Sequence, residues 1–272
     1  PGSSGAKTVI TVAHGAPTLY YYCTQHSGMG GQANTTETHG STNLKGSLQN
    51  VVSANKEAGF SIVTWTAPND NGTLGHGLDS APELIIAKPL GSGTNWYVMH
   101  TPGGVVPANN VLNLDATSAK FNPGVNHFND TYPTSTVFSY GGYLGDDLSN
   151  DDKVAYCFHS VEGFSKVGSY VANGNADGTF VYTGFRPAWV IFKNATSTEA
   201  WSIFDSARDP FNDGASQMLL ASSSAVEASG SNNVDFLSNG FKPRTTNNPN
   251  TSGQTYIYLA FAEAPFKFAN AR

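Results

Sequence analysis

Charged side chains are scarce in this sequence. Asp, Glu, Lys and Arg make up only 12 % of its 272 residues, and the formal net charge is −6. No basic run is present that could neutralise a phosphate backbone, so the sequence predicts no nucleic-acid partner. No apolar stretch approaches the roughly 20 residues that a membrane-spanning helix needs, so membrane insertion is not expected.

Cysteines and recognisable catalytic motifs are also rare. The two cysteines, Cys23 and Cys157, fall in different predicted domains, and a disulfide between them stays an open alternative. The sequence contains no G-x-S-x-G motif, no paired histidines on a helix and no phosphate-binding loop. We therefore predict that the protein is not an enzyme. Because carboxylates could still meet in three dimensions, a polysaccharide-degrading enzyme is retained as an alternative.

Turn-forming and aromatic residues are abundant instead. The chain has 29 glycines, and 12 % of its residues are Phe, Trp or Tyr. Short apolar bursts separated by Gly, Asn, Asp, Ser and Pro are typical of antiparallel strands joined by turns. Such a composition with few charges fits a rigid all-β extracellular or virion protein. The chain begins Pro1-Gly2-Ser3 without a methionine, and we expect it to be a piece of a longer polypeptide.

The second half of the chain repeats the first. Seven residue pairs recur in order at separations of 103 to 106 positions, namely Trp65/Tyr170, Pro82/Pro187, Lys88/Lys193, Trp96/Trp201, Ala119/Ala225, Phe138/Phe241 and Phe158/Phe261. In 82–88 and 187–193 a proline ends a loop, a buried strand follows, and a lysine is expected where that strand reaches the surface. The period suits sandwich domains rather than a solenoid. We predict two tandem antiparallel β-sandwiches of jelly-roll or lectin-like type, at 59–163 and 164–272.

A distinct motif stands near the start of the chain. Cys23, His26 and Met29 have the C-x2-H-x2-M spacing of the loop that binds copper in blue-copper proteins. A copper site needs a second imidazole from an upstream strand, and only His14 precedes the loop. The segment 1–34 is therefore predicted as the C-terminal part of a cupredoxin-like module. No cofactor is expected in this chain, because copper would need a complete upstream module.

The segment 35–58 is predicted to be a linker that leads into the first sandwich. Its apolar positions, Leu44, Leu48, Val51 and Val52, fit helical spacing and strand alternation equally well. One strand or one short helix is expected there, and both alternatives stay open.

Several stretches resemble known phage proteins. The stretch 19–31 resembles a cupredoxin-like segment found in large structural proteins of marine tailed phages. The stretches 58–65, 183–193, 201–208, 235–241 and 256–263 resemble an uncharacterised repeat domain of phage virion proteins, commonly tail fibres or similar appendages. The resemblance implies a place on a virion, and it supplies no catalytic residue or ligand. The first repeat departs from the pattern, because His100-Thr101-Pro102 stands where the second has Asp205-Ser206-Ala207-Arg208.

Aromatic side chains are the first candidates for glycan binding. The four tryptophans, Trp65, Trp96, Trp189 and Trp201, could stack on sugars. Core packing is the favoured interpretation for three of them, Trp65, Trp96 and Trp201, because the repeats agree in being aromatic there. The better surface candidates are tyrosines, namely Tyr20, Tyr21, Tyr22, Tyr140 and Tyr143.

Charged residues supply the remaining candidate sites. Asp205 and Arg208 could bind a ligand, although an ion pair that closes a loop is the favoured interpretation. The acidic stretch 145–152 and the Asn-rich stretch 173–178 could hold Ca²⁺. Solvated hairpin turns are favoured for both stretches.

The sequence thus predicts a non-enzymatic virion structural protein on the surface of a tailed phage. It is expected to contact other virion proteins, to form a homo-oligomer because such appendages are symmetric, and to attach to a host-surface glycan. A capsid decoration or cement protein is the first alternative, and a polysaccharide-degrading tailspike is the second.

Overall fold

The computed structural model describes residues 19–23, 26, 30–33, 41–67, 70–142, 144, 151–214, 216–230 and 233–263. The protein is all-β, as predicted, and its described helical content is one 3-10 turn at Pro102–Gly104. Over these residues no helix has the length and hydrophobicity that crossing a lipid bilayer requires. In chain order the strands are β1 (Leu19–Tyr22), β2 (Gly30–Ala33), β3 (Ser41–Asn43), β4 (Asn50–Asn55), β5 (Phe60–Ala67), β6 (Gly72–Gly75), β7 (Leu84–Pro89), β8 (Tyr97–His100), β9 (Leu112–Asn113), β10 (Val137–Tyr140), β11 (Asp151–Phe158), β12 (Ser165–Val171), β13 (Val181–Tyr182), β14 (Pro187–Asn194), β15 (Ser202–Asp205), β16 (Gln217–Leu220), β17 (Ala228–Ser229), β18 (Val234–Leu237), β19 (Gly240–Pro243) and β20 (Thr255–Ala262).

The chain divides into two compact units, residues 1–41 and 42–272. In the first unit, β1 and β2 form an antiparallel pair in which Leu19 lies opposite Ala33 and Tyr22 opposite Gly30. This pair agrees with strands in the predicted cupredoxin-like segment. Two strands do not identify that module, which stays a prediction.

The second unit contains two large antiparallel sheets that share one strand order. The first large sheet has the order β3-β4-β5-β11-β7-β8-β9, and the second has the order β12-β20-β14-β15-β16-β17. The run β5-β11-β7-β8-β9 therefore corresponds, strand by strand, to β12-β20-β14-β15-β16. Each half adds a small sheet, β6-β10 in the first and β13-β19-β18 in the second. The pairs Trp65/Tyr170, Lys88/Lys193 and Phe158/Phe261 thus fall on strands with the same place in the large sheets, and Phe138/Phe241 falls on strands of the small sheets.

Each large sheet packs against the small sheet of its own half. In the first half, Val63 and Trp65 of β5 share a buried cluster with Leu74 of β6 and Phe138 of β10. In the second half, aromatic side chains of β12, β14 and β20 share a cluster with those of β18 and β19, namely Tyr170, Phe192, Tyr258, Phe236 and Phe241. Alternation along the strands places these residues on one face of each sheet.

A third buried cluster joins the two large sheets. It contains Leu84 and Val98 of the first sheet together with Ile191, Trp201 and Ile257 of the second. Residues 42–272 consequently form one compact unit even though each half has its own core.

The expected linker 35–58 contributes strands where it is described. Residues 41–43 form β3, and residues 50–55 form β4, which pairs with β5 from Val51 opposite Thr64 to Asn55 opposite Phe60. Val52 is buried, whereas its neighbour Val51 is 42 % exposed. Burial thus alternates with a period of two, which is typical of a strand and not of a short helix. β4 belongs to the first large sheet and is not part of a free linker.

Candidate functional site

The predicted copper loop is only partly described. Sγ of Cys23 lies 3.4 Å from Nδ1 of His26, and the direction of this hydrogen bond depends on the histidine tautomer. His26 is exposed and Cys23 is half-buried. Met29 and His14 lie outside the described residues. Across the described part of the chain, no group of three or more His, Cys, Asp or Glu side chains is placed to hold a metal ion. Copper binding in a complete upstream module stays a prediction.

Asp205 and Arg208 form a local ion pair at the end of β15. Nε of Arg208 donates to Oδ2 of Asp205 over 2.6 Å, and the Arg208 amide donates to Oδ1 over 2.9 Å. Nη1 of Arg208 donates to Oε1 of Glu227 over 2.6 Å, and Nη2 donates to the carbonyl of Ile203 over 3.5 Å. Every guanidinium nitrogen therefore donates within the chain, which favours the loop-closing role over ligand binding.

Tyr140 is buried, so its prediction as a surface residue is wrong. Its side chain is 1 % exposed, and its ring centroid lies 6.0 Å from that of Trp65 in the first core. Burial, with a further contribution from Asp70, raises the pKa of its hydroxyl. Gly72 lies opposite Tyr140 in the β6–β10 pair, where a Cβ would come within 2.7 Å of the tyrosine ring. The glycine thus makes room for the ring. Tyr143 lies outside the described residues.

The Asn-rich stretch considered for Ca²⁺ does not form a hairpin, because it connects β12 and β13, which belong to different sheets. In 173–178, Asn173 Oδ1 accepts from the amide of Asn175, and Asn175 Oδ1 accepts from the amide of Asp177. The carboxylate of Asp177 pairs with Lys242 at 2.6 Å and also with Arg244. Hydrogen bonds and ion pairs within the chain therefore organise this loop. Residues 145–150 of the acidic stretch lie outside the described residues.

Three histidines are buried singly in the second unit. Burial lowers the pKa of His100 and of His127 to about 4. Nε2 of His100 lies 3.0 Å from the carbonyl of Gly168 and links β8 to β12. Nε2 of His76 lies 3.2 Å from the carbonyl of Thr134. Each is engaged in the fold, and no carboxylate hydrogen bond prepares these rings for proton transfer among the bonds described.

The tryptophans divide between the core and a surface. Trp65 and Trp201 are 4 % and 3 % exposed, as core packing predicts. Trp189 is half-buried against the cluster between the large sheets. Trp96 is also half-buried, although its equivalent Trp201 is fully covered. Trp96 is thus the tryptophan whose surroundings differ most from the expected core position.

Part of the first large sheet presents an uncovered face. We call it the open face and define it by Val51, Thr64, Thr66, Leu90 and Asp152, all of which are exposed. The register places them on one side, because Val51 lies opposite Thr64 and Asp152 lies opposite Thr66. The amide of Leu90 donates to the carbonyl of Asp152 over 2.8 Å, which extends the β7–β11 ladder by one residue.

A cleft of about 440 Å³ lies along the open face. The cleft is lined by residues of β4, β5 and β11 and by the residues next to the ends of β4 and β7. These residues are Gln49, Asn50, Val51, Thr64, Trp65, Thr66, Leu90, Asp152 and Lys153. Thr66 Oγ1 donates to Oδ1 of Asp152 over 2.7 Å, which orients the carboxylate across the strands. Val51 and Leu90 leave 42 % and 57 % of their surface exposed beside it. The cleft therefore combines fixed polar groups with apolar surface.

Aromatic rings continue the same side of the sheet. Tyr156 lies four residues beyond Asp152 on β11, and its side chain therefore points to the same face. Its ring stacks on Trp96 with a centroid separation of 6.3 Å and an angle of 23° between planes. On its other side it stacks on Phe60 at 6.5 Å. The amide of Trp96 donates to Oδ1 of Asp115 over 3.1 Å and holds the start of β8 in place.

This arrangement suits recognition of a polyhydroxylated ligand. Carboxylate, hydroxyl and amide groups can exchange hydrogen bonds with sugar hydroxyls, and Val51 and Leu90 can cover the C–H face of a sugar ring. Asp152 is the carboxylate that lines the cleft. A pair of opposed carboxylates, which glycoside hydrolysis generally uses, is not among the residues that line it.

Sequence reasoning missed the open face. In the sequence, Asp152 falls in the acidic stretch 145–152, and no motif marks Thr64 or Thr66. The alternation of Thr64, Thr66 with Val63, Trp65 predicts that one side of β5 is polar, and this signal was available. The pairing of β5 with β11 could not be predicted from such local patterns, because it joins residues 86 positions apart.

Residues 33–265 match the family described as Domain of unknown function (DUF7483). The chain belongs to this family. The DUF7483 match takes in β3 and β4 as well as both large sheets, and the open face lies inside it. No curated protein and no solved structure matches the chain.

Proposed function

We propose that this protein is a non-enzymatic structural component of a tailed-phage virion, carried on an exposed appendage, and that it attaches to glycans of the host surface. The observation that supports the proposal best is the open face with its 440 Å³ cleft. The resemblance of the sequence to phage appendage proteins supports the proposed location on a virion. Neighbouring virion proteins would hold the chain in place.

The open face is built to hold its polar groups still. β5 and β11 pair over eight residues in the interior of a seven-stranded sheet, and the backbone of Asp152 is paired with Thr66 on one side and with Leu90 on the other. A rigid scaffold lowers the entropy that is lost when a ligand binds. The Thr66–Asp152 hydrogen bond fixes the carboxylate rotamer in the same way.

A shallow cleft of this size binds a single sugar chain weakly. Attachment would gain strength from several copies that bind one surface together, since tethered sites act at high effective concentration. Symmetric homo-oligomers provide such copies. The proposed mechanism is therefore multivalent adhesion by a stiff β scaffold.

Fluorescently labelled protein should bind host cells and immobilised host-surface polysaccharide. The variant Asp152→Ala should weaken binding to the isolated polysaccharide by about tenfold or more, because a hydrogen bond to a charged group contributes about 1.5–3 kcal/mol. The matched control is Glu57→Ala, which removes an exposed carboxylate from the turn at the far end of β5. Its affinity should equal that of the wild type.

Three outcomes would contradict the proposal. If both variants lost binding equally, the loss would result from the change in net charge and not from the change in the open face. Binding to particle shells without binding to host cells would favour a capsid decoration protein. Release of reducing sugar from host polysaccharide, abolished by a carboxylate substitution, would favour a polysaccharide-degrading enzyme.

A further inference from the structure

A second cavity lies between the two large sheets, away from the open face. Its volume is about 320 Å³. The first sheet contributes Leu84, Ile86 and Val98 to its wall, and the second contributes Ile191, Trp201 and Ile203. Apart from Tyr258, every residue that lines the cavity is aliphatic, Phe or Trp. The cavity thus belongs to the shared apolar cluster that joins the halves.

The residues that line the cavity differ in their burial. Val98, Ile257 and Leu259 are at most 5 % exposed. Phe158 and Phe261 are half-buried, and their rings meet edge to face at 6.5 Å. These two phenylalanines occupy equivalent positions at the ends of β11 and β20, so each half contributes one of these rings to the wall.

The chemistry of the cavity wall does not suit water. The indole N–H of Trp201, a polar group of the wall, already donates to the carbonyl of Asn113 over 2.8 Å. A buried water needs two to four polar partners, and an apolar cavity of about 150 Å³ is known to stay dry and to accept small hydrocarbons. The present cavity is about twice that size and falls within the range of ligand pockets.

We propose that this cavity binds an alkyl chain of roughly ten non-hydrogen atoms. A group the size of a water molecule takes up about 30 Å³, so about ten such groups fill the cavity. Recognition would rest on burial and shape, because the wall offers the ligand no charged group. The chain could be a free aliphatic molecule or the acyl tail of a lipid. The inference is independent of glycan binding at the open face.

The test uses 1-decanol as the probe and the full chain as the protein. At a decanol concentration of about ten times its dissociation constant, the melting temperature should rise by roughly 3–5 °C. The variant Ile203→Phe adds a ring to the wall and should abolish this rise. The matched control is Leu219→Phe, which adds the same ring to the cross-strand partner of Ile203, outside the cavity. This control should respond as the wild type does.

Two results would overturn the inference. One is a wild type that shows no rise in melting temperature with decanol. The other is a rise that survives in Ile203→Phe while its circular dichroism matches that of the wild type. If Ile203→Phe does not fold, the variant Ala221→Leu replaces it. Ala221 follows the last residue of β16 and lines the cavity, so the larger side chain must abolish the rise in melting temperature. Flotation of the protein with phosphatidylcholine vesicles, in addition to the decanol effect, would identify a lipid acyl tail, and a decanol effect alone would identify a free aliphatic chain.

Discussion

Lys88 and Lys193 occupy the same position in the two halves but differ in their surroundings. Nζ of Lys88 donates to the carbonyls of Pro89 and Ser92, and the side chain is half-buried. Nζ of Lys193 donates to the carbonyls of Thr117 and Glu199 over 3.0 and 2.7 Å, and the residue is completely buried. The prediction that this lysine marks where its strand surfaces is wrong for Lys193. Thr117 from a loop of the first half and Glu199 from a loop of its own half cover its ammonium group.

Lys193 should make stability depend on pH in the alkaline range. Burial lowers its pKa from 10.5 to about 8, against an opposing effect of Glu199. Because the folded-state pKa lies below the unfolded one, the unfolded chain binds more protons between about pH 8 and 10.5, and stability due to this group rises with pH there. Urea unfolding should show that the destabilisation by Lys193→Met grows from pH 8 to pH 10.5.

Lys88→Met is the matched substitution for this experiment. It removes two hydrogen bonds to carbonyls at the equivalent position of the first half, where the side chain is less buried. The growth of destabilisation with pH should be larger for Lys193→Met. Equal pH dependence in the two variants would contradict the assignment to Lys193.

At the scale of the strand, the pairing of β12 with β20 depends on a glycine. Gly168 lies opposite Tyr258, and a Cβ on Gly168 would lie 2.5 Å from the tyrosine oxygen and 2.7 Å from Cζ. The ring cannot move aside easily, because it packs edge to face on Phe241 with a centroid separation of 5.1 Å. The missing side chain on β12 therefore leaves the space that Tyr258 fills.

Gly168→Ala should lower the free energy of unfolding by about 1–3 kcal/mol, which is typical of overpacking. Tyr258→Leu removes the clashing atoms, so the double variant should be less destabilised than the sum of the single variants by about 1 kcal/mol. Gly93→Ala is the control, because no atom lies within 4 Å of a Cβ at that position. Strict additivity in urea unfolding would show that the ring is not what Gly168 accommodates.

At the scale of the molecule, the two halves of residues 42–272 are held together by more than the chain that links them. Trp201 packs in the shared apolar cluster and donates to the carbonyl of Asn113 in the first half. Backbone hydrogen bonds also cross between the halves, from Lys120 to Ala195 and from Glu199 to Thr117. Neither half can unfold without exposing apolar surface of the other.

Calorimetry should therefore show one cooperative unfolding transition for residues 42–272. Trp201→Ala should lower the stability of that whole transition by about 3–5 kcal/mol without splitting it. The control Val226→Ala alters a side chain that is 90 % exposed and should leave the transition unchanged. Two separate transitions in the wild type, of which Trp201→Ala shifts only one, would show that the halves unfold independently.

The all-β class and the correspondence between the halves could be predicted from the sequence alone. Alternating apolar residues and turn formers fix the spacing of strands, and these are local properties that single sequences carry. The repeat of aromatic and proline positions likewise follows from comparing the chain with itself. The pairing of 82–88 with 187–193, for example, falls on β7 and β14, which have the same place in their sheets.

Whether one of these equivalent positions lies at the surface or in the core depends on contacts between distant parts of the chain. Tyr140 is buried because Gly72 lies opposite it, and Lys193 is buried because a loop from the other half covers it. The open face and the apolar cavity likewise depend on where one large sheet covers the other and where it does not. Such coverage arises from contacts between residues far apart in the chain, and local patterns do not encode them.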